Sequence, residues 1–455
     1  MSTINVANLE LQIVRKIANT TSNKELAILN KALYVLQTGT IFTVGTFANL
    51  PDASNNVGKL YFVEADALLY FSFTTDYDSV AQWIPITNVS TNVLWSWGCN
   101  NGTQLGDGTA QDRLSPVTVV GNITTWVDIV ALTQTASSSS VGLKSDGTIW
   151  TWGTNGSGQL GNAGSTGVQR CSPATVAGGG TTWCFIFSGR AHAGGIKTDG
   201  TLWTWGQNCF GKLGEGTTVS RCSPGTIAGE GTTWCQASGG ITGQAAIKTD
   251  GTLWTWGQNC FGILGDGTTV SRCSPGTIAG GGTTWCQVSA ADSNMAAIKT
   301  DGTLWTWGVN LQGQLGDATG VNRCSPGTIA GGGTTWCQVS GRGDHTAVIK
   351  TDGTLWTWGN NTQGRLGDGT TLFRSSPGTV AGGGTTWCQV DASSQTAALK
   401  TDGTLWTWGC GGQGVLGTGT QISRCSPGTV AGGGTTWFRL SVGGNFMLAI
   451  TKETL

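Results

Sequence analysis

The chain has 455 residues, of which 75 are Gly, about twice the ~7% of an ordinary protein, so the glycine needs a structural reason. Charged residues reach only 11%, and 24 Lys+Arg against 25 Asp+Glu leave a net charge of −1, which excludes a nucleic-acid binder because phosphate backbones demand a basic excess. The 22 Trp and 12 Phe exclude disorder, and with no run of 18 apolar residues and no secretory signal in view, a folded protein without a membrane span is expected.

At the N-terminus, Val6, Leu9, Ile13 and Ile17, then Leu26, Leu29, Leu33 and Leu36, keep helical spacing, and Ser22 with Glu25 forms a capping box. Two amphipathic helices over 1–40 are predicted, an anchoring or oligomerisation segment. Over 41–92 the pattern turns β-like and aromatic. A Leu50-Pro51-Asp52 turn is followed by a Gly58-led strand, a second strand from Leu68 and a closing Trp83. This succession resembles small modules of bacteriophage tail-fibre and other virion proteins, and the resemblance implies attachment to a particle.

From residue 93 the chain repeats. Trp-x-Trp-Gly starts at Trp95, Trp150, Trp203, Trp254, Trp305, Trp356 and Trp406, and each copy is followed by Leu-Gly, Arg-x-Ser-Pro and Thr-Thr-Trp. Each unit reads as four strands: Gly-Thr-Ile-Ala-Gly, Trp-Cys-Gln-Val-Ser, Ala-Ala-Ile-Lys and Leu-Trp-Thr-Trp-Gly, with Asp-Gly between the last two as a hairpin signal. Seven such units predict an all-β, seven-bladed β-propeller over 93–455 behind a small α+β module. The first repeat feature is a fourth strand and the last is a third, so the termini are expected to share one blade. In that reading the C-terminus supplies three strands of the shared blade and the N-terminal side supplies one.

Trp-Gly-x-Asn-x-x-Gly-x-Leu-Gly-Asp-Gly-Thr, with Ala-Ile-Lys-Thr-Asp-Gly-Thr-Leu-Trp downstream, resembles the repeat of the regulator of chromosome condensation family. The resemblance implies the same propeller and protein-interaction roles such as exchange factor or enzyme inhibitor. The family's usual His before the third strand is matched only by His192 and His345; Gly243, Asn294 and Gln395 stand elsewhere.

Catalytic patterns are missing. Two His in different repeats, no Gly-x-Ser-x-Gly and no His-Glu-x-x-His predict no enzyme, no metal and no cofactor. Cys pairs thirteen residues apart, such as Cys171 with Cys184, open consecutive strands and fall at opposite strand ends, too far apart for a disulfide. Free thiols buried as small apolar fillers are expected, and the recurrent Trp are read as blade-packing core. The recurrent Arg and the Asp or Glu of Leu-Gly-Asp-Gly are expected to pair.

Variation then points to function. Residues 199–249 and 250–300 differ at ten of 51 positions, and six of those differences are contiguous, Gly239–Gln244 against Ala290–Met295. That loop lies on the same face as the long loop after the fourth strand, whereas the opposite face carries uniform Asp-Gly and Gly-Gly-Gly turns. Recognition concentrates on loops held by a rigid scaffold, so Arg190, His192, Ile241, Asp292, Asn294, Arg342, Asp344, His345 and Gln395 are predicted to bind a partner. Joined to the phage-like module, this predicts a homo-oligomeric virion structural protein whose N-terminal module binds other virion proteins. Its propeller would contact a host surface receptor or a neighbouring virion protein. The alternative is a cytosolic interaction propeller.

Overall fold

In the computed structural model the described residues are 91–453, except 122, 124, 133–137, 165 and 230, together with four strands nearer the N-terminus. Those four, Ile41–Val44, Leu60–Val63, Leu68–Thr75 and Asp78–Asn88, form one sheet in sequence order, with the first pair parallel and the rest antiparallel. The helices expected over 1–40 lie outside the described residues. Two units result, residues 1–91 with 452–455, and residues 92–451.

The second unit is seven four-stranded antiparallel sheets. Six are continuous in sequence and begin at Trp126, Trp183, Trp234, Trp285, Trp336 and Trp387; they are blades 1 to 6 in that order. Blade 2 is representative, with strands Trp183–Gly189, His192–Lys197, Leu202–Gly206 and Arg221–Thr226 running from the axis outward. The first strands of all seven blades surround a central channel whose cavity holds about 220 Å³.

The phase of the repeat differs from the sequence reading. The strand containing Arg-Cys-Ser-Pro-Gly-Thr pairs with the Trp-x-Trp-Gly strand before it, Trp203 opposite Thr226 and Gly206 opposite Arg221, so it ends a blade instead of opening the next. The physical reason is its Pro, which cannot donate to a ladder and is at home on an edge. Blade 7 is therefore closed two plus two: Trp437–Val442 and Phe446–Glu453 come from the C-terminal end, Thr91–Gly98 and Arg113–Thr118 from the N-terminal side. At the seam the Trp95 indole donates to Thr451 Oγ1 at 3.0 Å and the Cys99 amide to the Asn445 carbonyl at 2.8 Å.

Packing between blades rests on the tryptophans. The second Trp of each Trp-x-Trp-Gly is fully buried, from Trp97 and Trp152 round to Trp408. Its indole N–H donates to a backbone carbonyl of the preceding blade, as from Trp256 to Lys212 at 2.9 Å and from Trp97 to Val415 across the closing seam, also at 2.9 Å. The glycine of Leu-Gly makes room for this: Gly214 has φ +75°, and a Cβ there would lie 2.7 Å from Trp256 Nε1. The Trp that opens each inner strand packs against both partners of its own blade, edge-on in nearly every case, Trp234 lying 6.2 Å from Trp254 and 6.4 Å from Trp256. Such pairs contribute about 0.5–1.5 kcal/mol beyond the area they bury.

All fourteen cysteines are free, yet the buried-filler expectation fails, because only Cys99 is buried. The inner-strand group falls on a bulge, where Cys184 is exposed and its thiol reaches the Ile196 carbonyl at 3.4 Å. In the outer-strand group, Cys273 lies beneath the next-door Gly211.

Because blade 7 needs both chain ends, removal of residues 446–455 leaves an open ring with an unpaired strand edge and a bare apolar face. Calorimetry of that truncation is expected to show loss of the single cooperative transition; an unchanged melt would contradict the closure.

Candidate functional site

Two sets of loops meet on one face. The first joins each inner strand to the second strand of its blade; the second is the long loop from the Trp-x-Trp-Gly strand to the outer strand. The long loops are built alike. In blade 2 the buried Asn208 accepts from the Leu213 amide at 2.8 Å and donates to Glu215 and to the Thr217 and Val219 carbonyls at 3.0–3.1 Å. Glu215 in turn pairs with Arg221. The expected Arg–carboxylate pairs are present in five loops, the others being Arg113–Asp107, Arg272–Asp266, Arg323–Asp317 and Arg374–Asp368.

The nine residues predicted from sequence separate into two groups. His192, Asn294, His345 and Gln395 open the second strands of blades 2, 4, 5 and 6 and are buried, which corrects their assignment to an exposed partner-binding surface. Strand-opening positions face the adjoining blade. His345 Nε2 lies 2.8 Å from Thr396 Oγ1, His192 meets Gln244, and Gln395 Nε2 donates to the Gly443 carbonyl at 2.9 Å. Burial, joined by the charge of Lys212 at His192 and of Arg365 at His345, lowers both histidines to about 3, so they are neutral spacers at pH 7.

Arg190, Ile241, Asp292, Arg342 and Asp344 form the other group and remain at the surface, around the mouth of the channel. Arg190 is exposed and the remaining four are half-buried. Arg342 reaches across the mouth from blade 5 and donates through Nη1 to the Ala131 carbonyl of blade 1 at 3.1 Å. Burial, and after it the neighbouring Asp344, raise Asp292 to about 6 against the opposing effect of the Gly343 amide, Arg190 and Arg342.

Sequence reasoning missed two cations here. Lys212 is buried, and its ammonium donates to the Arg190 carbonyl at 2.9 Å, Gln207 Oε1 at 3.0 Å and the Ile241 carbonyl at 3.4 Å, tying two of the recognition loops together. Burial lowers it to about 8. Arg365, in the long loop of blade 5, faces Asp344 and Asp292. A signal was present: the residue before Leu-Gly reads Gln104, Gln159, Lys212, Ile263, Gln314, Arg365 and Val415, as variable as the loops that were singled out.

A carboxyl raised beside a carboxylate is suited to proton transfer, but these two are matched by Arg190, Arg342 and Arg365. Among the described residues no group of three His, Cys, Asp or Glu could hold a metal ion, and no helix is long and apolar enough to cross a membrane.

This architecture defines a seven-bladed repeat propeller with a charged loop cluster at one channel mouth. The regulator of chromosome condensation (RCC1) repeat matches seven times, at 92–131, 146–195, 199–247, 250–298, 301–349, 352–399 and 402–450, and the chain belongs to that family. It is 30% identical over 292 residues to the ultraviolet-B receptor UVR8 of Arabidopsis thaliana, covering 64% of this chain and 66% of that one. It is 25% identical over 296 residues to the human E3 ubiquitin-protein ligase HERC2, covering 63% of this chain and 6% of the ligase. The chain thus spans under two thirds of the first of these relatives and a small part of the second.

In fold it is similar to human WBSCR16 (TM-score 0.70, 20% identity, 80% of this chain and 100% of that one) and to Prp20p of Saccharomyces cerevisiae (0.70, 16%, 80% and 92%). Prp20p was crystallised in work on its binding to Gsp1p and histones. None of these proteins lends support to the virion role expected from residues 41–92.

Two titrations test the site. Lys212→Gln installs the residue of blades 1, 4 and 7. An ammonium whose folded value lies below its unfolded one destabilises the fold while protonated, and that cost disappears as pH rises from about 8 towards 10.5. The stability of the natural protein relative to Lys212→Gln is therefore expected to increase over that interval, by on the order of 3 kcal/mol at about 1.4 kcal/mol per unit. Denaturant unfolding at a series of pH values measures it.

For His345 the sign is the same, in a lower pH window. The unfolded chain takes up a proton below pH 6.5 that the buried ring refuses until about 3, so stability falls as pH drops through that window. His345→Gln, the residue of blade 6, should flatten the acid limb of the stability curve by about 1–3 kcal/mol between pH 6.5 and 4. An unchanged limb would place the acid sensitivity elsewhere.

Proposed function

We propose that the chain is a non-enzymatic protein-interaction propeller that engages a protein partner through the loops around the channel mouth. One observation carries the reading: within near-identical repeats, substitution is concentrated in the loops bearing Arg190, Ile241, Asp292, Arg342 and Asp344, while the buried tryptophans and turns behind them repeat. A rigid ring with diversified loops is the arrangement of a recognition scaffold. Family membership supports the same class, since the structural relative Prp20p is described by its binding to Gsp1p and histones. The ligase activity of HERC2 is not carried over, because the match takes in only 6% of that protein.

The test is cross-linking mass spectrometry on cells producing the full chain, compared with Arg190→Ala/Ile241→Ser/Arg342→Ala and with a control on the opposite face, Lys248→Ala/Lys299→Ala. Surface changes of this kind shift stability by about 0.5 kcal/mol, so a folding check separates binding from unfolding. Cross-linked partners should be lost with the loop variant and kept with the control. The converse pattern would place recognition on the other face.

A further inference from the structure

The same face carries an apolar feature that the fold does not require. Phe210 and Phe261 occupy equivalent places in the long loops of blades 2 and 3 and are 48% and 52% exposed; Leu311, one position earlier in the loop of blade 4, is 72% exposed. The matching residue is Ser157 in blade 1, Gln363 in blade 5 and Gln413 in blade 6, so the loop accepts polar side chains there. Phe210 sits at φ +68°, a left-handed conformation shared by Gln363 and Gln413 and unfavourable for a bulky side chain. An aromatic ring that is half exposed on such a backbone contributes little to packing, and clustered exposed apolar side chains mark interaction sites. The aliphatic residues nearer the rim, Val219 and its counterparts, recur in six blades and carry no such information.

These apolar tips fall in blades 2 to 4, and the charged loops fall in blades 2 to 5. Lys212 joins the two, being two residues beyond Phe210 and bonded to the Arg190 and Ile241 carbonyls. The charges there are unequal: Arg190, Lys212, Arg342 and Arg365 stand against Asp292 and Asp344. The nearby Asp391 of blade 6 is engaged by Ser340 Oγ at 2.8 Å and the Val442 amide at 2.8 Å. Arg190 is the exposed member, and its guanidinium makes no described hydrogen bond.

We propose that this sector of the loop-bearing face, over blades 2 to 5, docks a protein segment carrying carboxylates flanked by apolar side chains. The carboxylates meet the excess of cations at the channel mouth, with Arg190 foremost, and the apolar side chains cover Phe210, Phe261 and Leu311. Opposite charge across the contact steers encounter and fixes register, while buried aromatic anchors supply most of the affinity. The proposal rests on the loop face being the binding face and adds the chemistry of the partner.

Panning a random dodecapeptide library against the full-length protein tests it, with the recovered peptides themselves as probes. Enrichment of acidic peptides containing Leu, Phe or Ile is expected. Their affinity should fall about tenfold or more with Arg190→Glu and separately with Phe210→Ser/Phe261→Ser, and should weaken as salt is raised. Recovery of basic or uncharged peptides that are still lost with the Phe variant would overturn the acidic partner and leave the loop face intact as the binding surface. Peptides lost only with Lys299→Ala would overturn both readings. Sedimentation that shows a dimer dissociated by Phe210→Ser/Phe261→Ser would assign the sector to self-association and overturn the proposal. Melting curves of each variant exclude unfolding as the cause.

Discussion

A single hydrogen bond, repeated seven times, holds the ring: the indole N–H of a fully buried tryptophan donating to a carbonyl of the preceding blade at 2.8–3.1 Å. Much else follows from it. The carbonyl belongs to the residue before Leu-Gly, so the long loop must be held in one shape to present it, and in six of the seven loops a buried Asn does so from within, Gly411 standing in its place in blade 6. The Gly beyond the Leu must lack a side chain, or it would collide with the indole. The same loop then covers the neighbour's outer strand, whose Cys or equivalent residue accepts a backbone bond, as from the Gly216 amide to the Cys273 carbonyl at 2.8 Å. An edge that would otherwise be open to pairing with other chains is thereby occupied in every blade.

The polar side chains complete the circle near the axis. Inner strands of adjacent blades do not pair through their backbones; Gln and Ser side chains bridge them instead, as from the Val288 amide to Gln236 Oε1 at 3.0 Å and from the Ala290 amide to Ser238 Oγ at 2.9 Å. On the opposite face each Lys of Lys-Thr-Asp-Gly lies over the tryptophans of its own blade, Lys248 being 4.4 Å from the Trp254 ring centre. With Arg and carboxylate paired inside five of the long loops as well, many of the few charges in the propeller recur with the repeat. The cluster at the channel mouth stands out because the repeat does not account for it.

The fold was legible in the sequence because its determinants are short-range and iterated: Trp-x-Trp-Gly, Asp-Gly and the spacing of about fifty residues. The phase of the blades was not, since a strand ending in a glycine-rich turn reads equally as the last of one sheet or the first of the next, and Pro224 and its counterparts were the overlooked evidence for an edge. For the site, variation identified the right loops but could not separate solvent-facing from blade-facing positions. His192 and Arg190 are two residues apart, yet one is sealed against Gln244 and the other is exposed, and that difference depends on the adjoining blade, which a single repeat does not contain. Lys212 escaped notice because it lies in a different loop and joins the cluster only in three dimensions.

The clasp between blades takes hold of the chain by an atom that every amino acid possesses. The residue supplying the carbonyl is fixed in position while its side chain is left unspecified, so Gln, Lys, Ile, Arg and Val all serve there without disturbing the indole above. Seven such places encircle the loop-bearing face, each constant in geometry and open in chemistry. New surfaces can therefore be composed one residue at a time on a foundation that does not register the change, which is how a chain of nearly uniform repeats comes to present a face with no symmetry at all.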